Sequence, residues 1–94
     1  MLKVLDTFEL KEKGTILYCR DDNFNNMSWN EVKDYVSAIN KIKIYGKNLT
    51  EKEFYIKNHD IMMSISDKIS VALLIDKKIE NSDIMIPSDI TVLN

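Results

Sequence analysis

The residues able to do chemistry are few and scattered. His59 is the only histidine and sits between Asn58 and Asp60, a polar triplet read as a turn. Metal binding or general acid–base work would need partners converging on it from elsewhere. Cys19 is the only cysteine, set between Tyr18 and Arg20 in a β-prone run. A nucleophilic thiol needs a base and an electropositive setting, and the flanking residues fit packing better. The carboxylates Asp21 and Asp22, and Asp76, Glu80 and Asp83, fall in loop-like stretches without the spacing of a calcium loop. One further arrangement has functional potential: Tyr45 and Tyr55 interleaved with Lys41, Lys43 and Lys57, a pattern suited to stacking bases or a peptide, or to plain cross-strand pairing.

The elements that must position these residues are mostly strands. From Val4 to Arg20 the sequence reads as a hairpin, with Val4, Phe8 and Leu10 on the inward face and Gly14 in the turn where the backbone needs positive φ. Leu5 and Asp6 break the alternation. Asp21 to Met27 reads as a polar loop. Ser28-Trp29-Asn30-Glu31 has the pattern of a capping box and predicts a helix from Trp29. Trp29, Val32, Tyr35, Val36 and Ile39 form its apolar stripe, which must be covered by the strands or by a partner.

Further along, Lys41 to Gly46 alternates cleanly, with Ile42 and Ile44 inward. A loop over 47–52 follows, then a short strand from Glu53 to Lys57 and a turn at Asn58-His59-Asp60. Ile61, Met63 and Ile65 share a face of the next strand. Ile69 to Ile75 is the most apolar strand; Ala72 and Leu74 on its second face predict partial cover there too. Ile79 anchors a polar turn, Ile84 to Ile86 is a short strand ended by Pro87, and Ser88 to Leu93 closes the chain. Together these predict a mainly β fold: a small antiparallel, closed or partly closed barrel of about six or seven strands, with one amphipathic helix inserted over about 28–40.

Ninety-four residues suit one domain with one core. The net charge is −2, with acidic and basic residues mixed along the chain. No basic stripe invites a phosphate backbone. The longest apolar run, Val71 to Ile75, is far short of a spanning helix. With no visible signal peptide and a single cysteine, the expected location is cytoplasmic.

The stretch V-L-D-T-F-E-L-K-E-K-G-T-I-L-Y-C-R resembles the first hairpin of domain II of the translational GTPases, the small barrel of elongation factor Tu and its relatives. Asp6, Phe8, Lys13, Gly14, Thr15 and Arg20 stand at the matching positions. K-I-K-I-Y-G, I-S-V-A-L-L-I and K-K-I-E-N-S-D-I-M-I-P resemble that family's later strands and its turn before the closing strand. Residues 21–40 depart from it as an insertion. Glu12 replaces a glycine common in the turn, and Ser82-Asp83 stand where a glycine is usual. No phosphate-binding G-x-x-x-x-G-K-[ST] occurs.

The resemblance implies a stand-alone barrel with a binding surface and no GTPase. Asp6 and Phe8 match positions near the surface that holds the aminoacyl end of tRNA in that family, but Tyr18 replaces a small residue there. The expected function is a non-enzymatic binding module for a protein or ribonucleoprotein. Its candidate surface comprises Asp6, Phe8, Lys13, Lys43, Tyr45, Tyr55 and Lys57, and no cofactor or metal is expected. The alternative is a homo-oligomeric accessory protein that associates through the helix or edge strands; an enzyme is the weakest reading.

Overall fold

The computed structural model of the protein describes residues 1–46, 50–64, 66–79 and 83–93. The expected positions of Ile65, Glu80 and Ser82, and the first half of the 47–52 loop, lie outside them. Among the described residues the chain is mainly β: seven antiparallel strands in a nearly closed barrel, with one α-helix. The strands are β1 (Lys3–Leu10), β2 (Gly14–Arg20), β3 (Lys41–Tyr45), β4 (Glu51–Met63), β5 (Ile69–Ile75), β6 (Ser88–Asp89) and β7 (Thr91–Val92), and the helix is α1 (Trp29–Ser37). In space the strands follow the order β6-β1-β2-β5-β4-β3-β7. Only Ile90 separates β6, which pairs with β1, from β7, which pairs with β3, so the C-terminal segment bridges the two edges.

The predicted first hairpin is present, but its parity changes partway. Val4 faces Cys19 and Asp6 faces Tyr18, leaving Leu5 as a bulge. One extra residue sends every later side chain to the opposite face. Thr7 therefore shares the inner face with buried Leu17, while Phe8 lies opposite Ile16 on the outer face and is 52% exposed. The inward placement expected for Phe8 and Leu10 is corrected by that bulge, at the very residues where the alternation failed.

Gly14 at the start of β2 has φ +121°, and a Cβ there would overlap the carbonyl oxygen of Ile75. Glu12, at a position expected to suit glycine, adopts φ +66°. Past the turn, the Thr15 hydroxyl donates to the carbonyl of Lys77 at 2.7 Å and accepts the Ile79 N–H at 2.9 Å. This fully buried threonine fastens the anchoring Ile79 segment to β2.

No turn forms at Asn58-His59-Asp60. Instead β4 runs for 13 residues, pairing with β3 as far as Tyr55 and with β5 from Ile56 onward, with Lys57 bulged at the hand-over. The polar triplet is tolerated in the strand because its groups find partners. Asn58 and Asp60 accept the N–H of the residue that follows each, at 2.9 and 3.0 Å, and His59 turns toward the helix. Ile84 makes only a bridge to Gly46 rather than a strand.

The interior is filled by Val4, Leu17, Cys19, Ile42, Ile44, Val71, Leu73 and Ile75, all fully buried. Helix α1 begins as predicted: the Ser28 hydroxyl accepts the Glu31 N–H and the Glu31 carboxylate accepts the Ser28 N–H. Val32, Val36 and Ile39 are buried in the same core as the strands. Burying side chains of this size contributes about 1.5–3 kcal/mol each, which commits the helix to the barrel.

Candidate functional site

The outer face of β1, β2, β5 and β4 is built by cross-strand register. Phe8, Ile16, Leu74 and Asn58 form one row across the four strands, and Asp6, Tyr18, Ala72 and Asp60 form the next. Leu10 lies opposite Gly14 at the turn end. Ile16, Tyr18, Ala72 and Leu74 are half-buried, each sheltered by its neighbours, so the face is a shallow apolar surface rather than isolated residues. Partial cover of Ala72 and Leu74 was expected from the sequence; that the cover comes from Ile16 and its neighbours in the next strand was not.

Two depressions adjoin on this face and share Leu10 and Leu74. The larger, about 560 Å³, is bordered by Lys13, Lys57, Glu12 and Asp76. The smaller, about 150 Å³, reaches Ile16, Asn58 and Ala72. Four of the predicted surface residues, Asp6, Phe8, Lys13 and Lys57, thus belong to one region of the molecule.

The other three, Lys43, Tyr45 and Tyr55, form a separate ladder on β3 and β4. Here Lys41 faces Tyr55, Lys43 faces Glu53 and Tyr45 faces Glu51. The ammonium of Lys41 lies 3.0 Å from Glu53 and 5.2 Å from the centre of the Tyr55 ring. Its hydrogen bond to Glu53 raises its pKa above the ordinary lysine value. Lys43 reaches Glu51 at 3.3 Å. Each lysine of the ladder meets a carboxylate, an arrangement of cross-strand pairs that presents little net charge to a nucleic acid.

Among the candidate helix residues, Val32, Val36 and Ile39 are inaccessible to a partner because the barrel itself covers them. Trp29 and Tyr35 remain 39% exposed. Tyr35 packs edge-on against buried Phe24, and its hydroxyl pKa is raised, first by desolvation and then by the charge of Asp21. Trp29, Lys33, His59 and Ile61 border a cleft of about 200 Å³ between α1 and β4.

His59 is a structural tie: its Nε2 lies 2.6 Å from the carbonyl oxygen of Ile39. Cys19 is buried, its thiol contacts the carbonyl of Leu17 at 3.4 Å, and desolvation pushes its pKa far up, away from thiolate chemistry. The Asp21 carboxylate accepts the Asn23 N–H and the amino group of Met1. Among the described residues, no three His, Cys, Asp or Glu side chains come together in a way that could hold a metal ion. No described helix is long and apolar enough to cross a membrane.

The class defined by fold and surface is a small antiparallel β-barrel with an apolar outer face. Compared with protein-family models, curated proteins and solved structures, the chain finds no match in any of the three.

Proposed function

We infer that the protein is a non-enzymatic binding module of the translation-factor barrel type, and that it recognises a protein partner through the outer face of β1, β2, β5 and β4. One observation carries the reading: the Leu5 bulge turns Phe8 outward, next to Ile16 and Leu74, on a sheet whose inner face is already filled. Exposed aromatic and aliphatic side chains beside pocket-sized depressions are what protein interfaces anchor on. The lysine–glutamate ladder on β3 and β4 favours protein over RNA as the partner. Self-association through the helix or the β4 edge is disfavoured. Val32, Val36 and Ile39 of the helix stripe are buried, leaving only Trp29 and Tyr35 partly exposed, and the His59 and Ile61 amides are taken by Asn58 and Asp60.

The test is stoichiometric co-purification with the parent chain, Phe8→Asp and Tyr55→Ala, each with and without ribonuclease. A defined protein retained by the parent and by Tyr55→Ala, resistant to ribonuclease and lost from folded Phe8→Asp, supports the reading. Retention that ignores Phe8, or that vanishes with ribonuclease, overturns it. Light scattering that gives a dimer for the parent and a monomer for Phe8→Asp would assign the face to a second copy and would equally overturn it.

A further inference from the structure

Lys3 and Arg20 stand directly opposite each other across β1 and β2. Like charges facing across strands repel. Lys3 is drawn toward Asp89 at 3.9 Å, a long contact between exposed groups that does little to offset this. Arg20 is half-buried, and among the described residues no carboxylate lies within 4.0 Å of it. A third cation, Lys68, immediately precedes Ile69 and likewise lacks a carboxylate partner among the described residues.

All three line one cleft of about 390 Å³ together with Asp21, Asp22 and Asn25. One of the two carboxylates is already engaged, because Asp21 accepts from Met1 at 3.1 Å and from the Asn23 N–H at 2.9 Å. The recess therefore gathers three cations, Lys3, Arg20 and Lys68, beside two carboxylates, Asp21 and Asp22, in a protein whose net charge is negative. Three cations from three separate segments, one of them a planar fork that pairs bidentately with oxyanions, suit the three acceptor oxygens and the higher charge of a phosphate monoester better than a single carboxylate.

We propose that this cleft binds a phosphate monoester, with Arg20 donating the forked N–H pair and Lys3 and Lys68 flanking it. The site is independent of the apolar face and stands whether or not that face has a partner.

The test is a nitrogen-15 NMR titration with inorganic phosphate at constant ionic strength, with acetate as control. Saturable shifts confined to the amides around Lys3, Arg20, Lys68 and Ile69, with a Kd of about 1 mM, are expected. Arg20→Gln should weaken binding about tenfold while the spectrum stays folded. Lys68→Gln, in an exposed turn, should weaken it severalfold and serves as the test should the Arg20 variant unfold. Glycerol phosphate and vesicles of phosphatidylcholine with phosphatidic acid distinguish a soluble ester from a lipid headgroup as the source. Shifts that never saturate, that acetate reproduces, or that survive both substitutions would overturn the proposal.

Discussion

The Nε2 of His59 lies 2.6 Å from the carbonyl oxygen of Ile39, so the middle of β4 is tied to the residue just beyond α1. The Ile39 carbonyl lies past the helix cap, in the connection to β3, and this imidazole satisfies it in a partly buried place, where an unpaired acceptor would be costly. Replacing His59 with Phe removes the donor and leaves the acceptor stranded. The expected loss is about 1–2 kcal/mol, read as a lower urea midpoint with an unchanged denaturant slope.

Gly14 and Glu12 predict opposite responses within one turn. Gly14→Ala drives a methyl into the Ile75 carbonyl and within 2.9 Å of the Asp76 Cα, at a φ no side chain accepts comfortably. It should cost at least about 3 kcal/mol or prevent folding. Glu12 already sits at φ +66°, where asparagine is better tolerated. Glu12→Asn should raise stability by about 0.5–1 kcal/mol, measured by the shift in thermal midpoint.

Beyond Ile56, β4 pairs with β5 alone among the described residues, which leaves it one edge without a ladder. Asn58 and Asp60 take up the amides of His59 and Ile61 and carry polar groups to that region. Replacing both with valine frees these donors and raises β-propensity together. The double variant should self-associate in a concentration-dependent way in sedimentation velocity, where the parent does not. A variant that sediments like the parent would show that other features guard this edge.

Cys19 gives a titratable readout of the core. Its thiol is held protonated in the fold because burial raises its pKa. Unfolded cysteine ionises near pH 8.5. The contribution is thus fully present below that value and is lost as pH climbs above it. Stability should fall from about pH 8.5 upward, and Cys19→Ala should show a shallower decline alongside its own cavity cost of about 1 kcal/mol. Iodoacetamide should modify the native thiol only as fast as the barrel opens.

The capping box behaves in the opposite sense. The Ser28 N–H holds the Glu31 pKa below its ordinary value. Its stabilisation of the helix start is present above the unfolded glutamate range and is lost as pH falls through the lowered value. Amide exchange at residues 29–32 should accelerate on acidification in the parent and show no such step in Glu31→Gln. Ser28→Ala should cost about 1 kcal/mol at neutral pH.

What could be read from the sequence follows from which features are local. The capping box at Ser28 and Glu31, the alternation of Ile42 and Ile44 and the apolar run to Ile75 each depend on neighbours in the chain, and each forms as expected. The bulge at Leu5 left a trace in the broken alternation. Its effect, turning Phe8 outward, depends on the register with β2, which no local pattern specifies. Asn58-His59-Asp60 carries strong turn residues, yet hydrogen bonds to Ile39 and to the strand's own amides override that propensity. The facing of Lys3 and Arg20 is likewise a pairing across the sheet, invisible along the chain.

The bridging of β1 and β3 by residues 88–92 sets an order of events during synthesis. While the nascent chain is still shorter than about this point, both flanking strands emerge with open sides, the condition in which stray pairing with other chains is most dangerous. The latch emerges after the other described strands, and its β6 part pairs with β1, so closure waits on a long loop.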